Sequence, residues 1–284
     1  MANENDSVEH VTDPRVVVVT GASSGIGLAA AGEFARRGDE VVLVGRHEAR
    51  LAEALAEVRE AAAGPQPSTY RCDFAVLAEV RRLGEQLADA YPRIDVLANN
   101  AGGLGPAGNM TTVDGYEFTI QTNHLAPFLL THLLRGRLAG GRIVNTASGA
   151  HQQGTLDPAT LRPGRGSRPM SLYGSAKQAN ILFAAEAARR WPDVLSTSYH
   201  PGLVRTRFGR HNPVINAFFK VAVFLRSPAR GADTLLWLAD TPAGELVNGG
   251  YYVDRRLRRP SSRAADPAVA AALWEASRTA VGLT

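Results

Sequence analysis

Lysine is almost missing from this chain. Of its 31 lysine and arginine positions only Lys177 and Lys220 are lysine, so nearly all positive charge sits on a group that does not deprotonate. A lysine retained at 177, four residues after Tyr173, marks a position suited to a compact ammonium whose pKa its surroundings can move. Cysteine is scarcer still: the single Cys72 excludes an intramolecular disulfide and a multi-cysteine metal site, and it fits a reducing, cytoplasmic setting. Long apolar runs are absent too. The most apolar stretch, PVINAFFKVAVFL at 213–225, holds Lys220 inside it and is shorter than the roughly 17–25 residues a spanning helix needs. The opening MANENDSVEHVTDP has neither the basic start nor the apolar core of a signal peptide, so residues 1–14 read as a flexible arm. Net charge is a mild +4. Its densest basic cluster, Arg255, Arg256, Arg258 and Arg259, has no interleaved aromatics, which argues against a nucleic-acid partner; it reads as a solvated tail segment. No pair among the seven histidines has metal-ligand spacing, and no metal is expected.

What remains suits one large α/β domain: 45% hydrophobic and 20% charged residues over 284 positions can bury a sizeable core. β-Branched runs at 15–20 (RVVVVT), 40–44, 69–72, 94–98, 142–146, 195–199 and 250–253 alternate with helical patterns at about 25–37, 48–62, 76–90, 113–136, 172–190, 229–239 and 266–280. Alternation of this kind predicts a doubly wound, Rossmann-type domain over 15–284, with about seven parallel strands and helices on both faces. Two irregular segments interrupt it, 149–170 and 207–228. Each follows a strand, so each borders the crevice at the strand C-termini where such sheets bind ligands. They read as a substrate loop and a lid, the lid carrying Phe218, Phe219, Val223 and Phe224.

After the first strand comes TGASSGIG, with Gly21, Gly25 and Gly27 around Ser23, Ser24 and Ile26. Glycines at a strand-to-helix turn let the backbone approach a pyrophosphate, whose charge the helix N-terminal amides stabilise. The competing reading, a glycine turn without ligand, is disfavoured by the flanking strand and amphipathic helix. The second strand ends Val44-Gly45-Arg46. A carboxylate there would favour NAD; an arginine accommodates the 2′-phosphate of NADP(H), although Arg46 alone is also what an ordinary surface arginine looks like. Asp73 either accepts from the adenine amine or caps the helix that begins nearby.

TGASSGIG (20–27), NNAG (99–102), Ser148 closing IVNTAS, YGSAK (173–177) and HPGLVRT (200–206) together resemble the short-chain dehydrogenase/reductase superfamily. TNHLAPFLLT (122–131), YGSAKQANILFAAEAARR (173–190) and GGYYVDRRLRRPSS (249–262) resemble its retinol dehydrogenase and WW-domain oxidoreductase group. The resemblance implies a tetrad of Asn123, Ser148, Tyr173 and Lys177. It also implies an adenosine pocket along Asn100, Ala101 and Gly102, and a nicotinamide border at Pro201, Gly202, Val204 and Thr206. Asn123 also has a plain reading, as an asparagine satisfied within its helix. The residues agree with the tetrad: Tyr173 and Lys177, four apart on a helix, share a face, and a phenol with a pKa of about 10 needs a nearby cation to exchange protons near neutrality. The reading is an NADPH-dependent ketoreductase acting on a bulky apolar ketone or aldehyde, with Tyr173 as proton donor, in a polyketide or other secondary-metabolite tailoring step. Its rivals are a retinal or lipid-aldehyde dehydrogenase and a non-catalytic NADP sensor. The expected partners are a small carbonyl substrate and further copies of the chain, as a homodimer or homotetramer, without nucleic acid or membrane span.

Overall fold

The computed structural model describes residues 13–105, 110–162, 168–205 and 225–283. Residues 1–12 of the expected arm, 163–167 of the substrate loop, Thr206, and residues 207–224 of the lid with all four of its named apolar side chains lie outside the described residues.

The Val-Val-Val-Val-Thr run forms β1 (Val16–Thr20), buried along its whole length. β-Branched side chains favour the pleated backbone, and a strand with no polar alternation must be covered on both faces. Around it lie β2 (Glu40–Gly45), β3 (Ser68–Arg71), β4 (Val96–Asn99), β5 (Arg142–Thr146), β6 (Leu195–His200), β7 (Tyr251–Val253) and β8 (Arg256–Arg258), in the order β3-β2-β1-β4-β5-β6-β7-β8. Pairing is parallel from β3 to β7 and antiparallel only between β7 and β8. The order reverses between β1 and β4, so the ligand crevice of such a sheet opens above their C-terminal ends.

Successive side chains of β1 enter opposite cores. Val17 and Val19 join Phe34, Tyr199 and Leu235 under α1 (Gly25–Arg36), α2 (Glu48–Ala61) and the later helix Pro228–Asp240. Val16 and Val18 join Phe128, Phe183 and Trp274 under α3 (Leu77–Ala90), α4 (118–133), α5 (Pro169–Arg190) and the C-terminal helix Pro267–Ala280. The last two helices in chain order, Pro228–Asp240 and Pro267–Ala280, are α6 and α7. Each begins with proline in its first turn, where a missing N–H costs nothing. Among the described residues no helix is long and apolar enough to cross a membrane.

The structure departs from the sequence expectations in three places. The arginine cluster is not a tail: Arg256–Arg258 is an exposed eighth strand that pairs with β7. The two-residue turn between them, Asp254-Arg255, has φ of 51° and 59°, the conformation that a two-residue hairpin turn demands and that Asn-Gly usually supplies. The expected helix at 113–136 starts only at Phe118, because Gly115 turns the chain at φ 87° and the Glu117 side chain caps the Ile120 amide at 2.8 Å. Within α4 the segment Gln121–Leu125 is a π turn, where the Ala126 N–H reaches back to Gln121 O. Lastly, the N-cap of α3 is Val76 rather than Asp73. Asp73 Oδ1 accepts from the Ala75 N–H at 3.0 Å in a local turn, and Asp114 accepts from the Leu77 N–H at 2.9 Å.

Candidate active site

The turn after β1 is as tight as its glycines suggest. A Cβ on Gly27 would stand 2.5 Å from Gly21 O, and one on Gly21 would stand 2.8 Å from Ala101 Cα, with Gly21 itself at φ 69°. Ser24, the N-cap of α1, makes no side-chain cap, which leaves the first-turn amides of α1 to an incoming anion. Ile26 packs where Gly231 of α6 meets Val204, so the turn and the segment after β6 share one packing point. The Asn100 side chain donates to Thr20 O at 2.9 Å, and the Asn100 and Ala101 amides both donate to Thr20 Oγ1 at 3.0 Å. These bonds fasten the end of β4 to the end of β1. Arg46 directly follows β2. It is exposed, with Nε donating to His47 Nε2 at 3.3 Å, and no ion pair involves it among the described residues. Gly45 before it abuts Ser23, whose Cβ a Gly45 Cβ would meet at 3.4 Å. Arg46 therefore stands at the mouth of the glycine turn.

Four further residues meet above β4, β5 and β6. Lys177 is 2% exposed, and its Nζ donates to Thr146 O at 3.0 Å. Burial brings its pKa down to about 7. Its ammonium lies 5.5 Å from the centre of the Tyr173 ring, one helical turn back along α5. Burial raises the Tyr173 phenol to about 12, opposed by a hydrogen bond with Ser148. Asn123, fully buried in the π turn, accepts from the Gly103 N–H at 2.8 Å and donates to Gly103 O, Thr119 O and Thr122 Oγ1 at 3.1, 2.9 and 3.1 Å. The Asn123 side-chain amide is thus fully used within its own surroundings. Gly102, at φ 153°, joins this group to the turn: a Cβ there would meet Asn123 Oδ1 at 2.4 Å and Lys177 Nζ at 3.1 Å. Beyond β6, Gly202 has φ 84° and lies under the Arg226 guanidinium, 2.7 Å from its would-be Cβ.

Several contributors escaped the sequence reading. Gly174 lets the turn after Ser148 lie on α5, since a Cβ there would come within 2.4 Å of Ala150 O. Ser175 Oγ accepts from the Thr155 and Leu156 amides at 2.8 and 3.1 Å, tying the segment after Ser148 to the same helix. Both lie inside YGSAK, whose letters give the helix but not what rests on it. His200 accepts backbone N–H bonds at the end of β6.

The family model described as short chain dehydrogenase matches residues 15–213. A Streptomyces sp. (strain C5) protein named as a candidate daunorubicin C-13 ketoreductase is 57% identical, over 95% of this chain and 93% of that one. Human retinol dehydrogenase 14 is 36% identical, over 95% of this chain and 87% of its own length. Among solved structures, a short chain dehydrogenase from Burkholderia cenocepacia J2315 in complex with NADP superposes with a TM-score of 0.67. It is 26% identical, with 84% of this chain and 95% of that one covered.

Proposed function

The chain belongs to the short chain dehydrogenase family, and from that premise we propose that it is an NADPH-dependent carbonyl reductase that turns a bulky apolar ketone into a secondary alcohol, as a tailoring step in secondary metabolism. One observation carries the reading: a buried lysine beside a tyrosine whose phenol is bonded to Ser148. The relative at 57% identity, named for a ketone at C-13 of daunorubicin, supports the substrate class, and the NADP-bound neighbour supports the cofactor.

NADPH fits the residues present. The glycine cradle that any Cβ would fill would receive the pyrophosphate on the α1 amides, and Arg46 would meet the 2′-phosphate. When bound, the cofactor supplies a hydride to the carbonyl carbon. The chain's own residues handle the oxygen. Ser148 donates a hydrogen bond to the carbonyl and orients it, while Tyr173, held protonated near neutrality by burial, gives its proton to the oxygen as negative charge develops there. Lys177 stabilises the phenolate left behind. With a pKa near 7 it can also hand on a proton, which arginine cannot. Asn123 supports the relay through its main chain.

The reading is tested by following NADPH consumption with a polycyclic aromatic ketone and with retinal. Faster turnover of the polycyclic ketone is expected; faster turnover of retinal would favour the retinol dehydrogenase reading. Arg46→Asp should weaken NADPH much more than NADH, and equal effects would contradict the 2′-phosphate assignment. NADPH binding without turnover of any ketone would instead mark a sensor.

A further inference from the structure

The geometry points to His151 and His200 as positioning residues that clamp the single peptide unit between Ser148 and Gly149, and so aim the Ser148 hydroxyl. The inference rests on the reading of Ser148 given above. Both polar groups of that peptide are held by imidazoles. Ser148 O accepts from His151 Nδ1 at 2.8 Å, and the Gly149 N–H donates to His200 Nδ1 at 3.3 Å.

Each ring also holds a second backbone N–H, His151 from a distant segment and His200 from two residues further along its own chain. His151 Nε2 accepts from the Ser261 N–H at 3.1 Å, beyond β8. His200 Nδ1 accepts from the Gly202 N–H at 3.4 Å, in the segment assigned to the nicotinamide border. A backbone N–H can only donate, so the partners fix both tautomers. His151 must carry its proton on Nδ1, and His200 must carry its proton on Nε2. Neither ring can accept a second proton without turning an acceptor into a donor that faces an N–H. Burial favours the neutral form of both; His200 is brought down to about 4, with the Arg226 charge adding to the effect.

The clamp leaves the peptide little freedom. His151 is 2% exposed and lies edge-on to the Tyr251 ring, 5.3 Å between centres. Its own carbonyl accepts from Gln178 Nε2 of α5 at 3.2 Å. With φ −162° and ψ 155° set on either side of its Cα, Ser148 points Oγ so that it accepts from the Ala150 N–H at 3.2 Å. The Ala150 bond takes one lone pair, so the hydroxyl keeps its proton and a second lone pair to divide between the Tyr173 phenol and a carbonyl oxygen in front of it. His200 does a second job by sharing one lone pair between Gly149 and Gly202, which sets the spacing of the carbonyl-orienting turn from the nicotinamide border. Misplacement of about 1 Å in such an arrangement costs on the order of 100-fold in rate.

The test is a double-mutant cycle on folded protein, with NADPH affinity measured separately by fluorescence. His151→Leu should lower kcat by roughly 10- to 100-fold with NADPH Kd unchanged, whereas His200→Leu should lower kcat and weaken NADPH as well. His200→Asn, whose amide oxygen can stand in for Nδ1 as acceptor, should recover most of both. In a Ser148→Ala background, which is itself expected to be slow, His151→Leu should cost little more, because it acts through Ser148. Full additivity of the two changes, or unchanged kcat in both leucine variants, would overturn the clamp. Full activity of Ser148→Ala alone would instead overturn the reading of Ser148. Should the leucine variants not fold, ¹⁵N imidazole NMR of the wild-type protein decides: Nδ1–H on His151 and Nε2–H on His200 support the clamp, and any other tautomer on either ring contradicts it.

Discussion

Lys177 costs the fold stability at the position where the proposed reaction uses it. Its pKa falls from the ordinary lysine value to about 7 because it is buried, so between those two values the unfolded chain binds more protons than the folded one. Stability from this group therefore rises with pH across that window, and below pH 7 the full penalty applies. Lys177→Met keeps the apolar bulk, and Thr146 O keeps its bond from Asn180 Nδ2 at 3.1 Å. The variant should be more stable than the wild type at pH 7, on the order of a few kcal/mol, and inactive. Urea unfolding at pH 7 and 9 should show that advantage shrinking at the higher pH; a constant advantage would mean that the ammonium is not desolvated. Gly27 makes the complementary case at the glycine turn. A methyl group 2.5 Å from Gly21 O must push the turn open, so Gly27→Ala should cost roughly 1–3 kcal/mol of stability and at least tenfold in NADPH affinity by calorimetry. Unaltered affinity would remove the turn from the cofactor site. Both residues were legible in the sequence, because each combines an unusual residue type with a spacing that chemistry requires. The histidine pair was not, since Gly149 and His200 meet across 51 positions and no local pattern records that.

The β7–β8 hairpin shows why one element could not be read in advance. Its turn residues, Asp254 and Arg255, both adopt left-handed φ without the glycine or asparagine that signals a hairpin. Tertiary ion pairs hold them there: Arg226 with Asp254 at 3.1 Å, and Arg255 with Asp233 of α6 at 2.8 Å. Both pairs are partly solvated, and such pairs contribute little, about 0–1 kcal/mol, whereas a non-glycine residue in the left-handed region costs about 1 kcal/mol or more. Arg255→Gly should therefore leave stability unchanged or raise it by up to about 1 kcal/mol in urea titrations. A marked loss would show that the Asp233 pair outweighs the strain. The π turn of α4 was hidden for a different reason: apolar spacing in TNHLAPFLLT serves an α-helix and a widened turn alike. By contrast, β1 and β2 were plain in the chain, because strands buried on both faces write themselves as continuous β-branched runs, as VVVVT and EVVLVG do.

For the molecule as a whole, acid is the expected weakness. Burial lowers His124, His132 and His200 to about 4, and His151 in the same direction, while unfolded histidines titrate near 6.5. The unfolded chain therefore takes up more protons as pH falls from 6.5 toward 4, and stability contributed by the neutral rings is lost across that interval. The urea midpoint should be lower at pH 5 than at pH 7; equal midpoints would contradict the burial of these rings. At this scale the sequence told the fold class, because alternating strands and helices admit few topologies, and the proposed reaction rests on YGSAK and TGASSGIG. The reaction itself is most directly tested with NADPH carrying deuterium at the transferable position of its nicotinamide, a polycyclic aromatic ketone, and mass spectrometry of the product. The account predicts an alcohol with one deuterium at the former carbonyl carbon from the wild-type chain, and at least 100-fold less of it from Tyr173→Phe. An alcohol without deuterium, or equal yield from Tyr173→Phe, would contradict it.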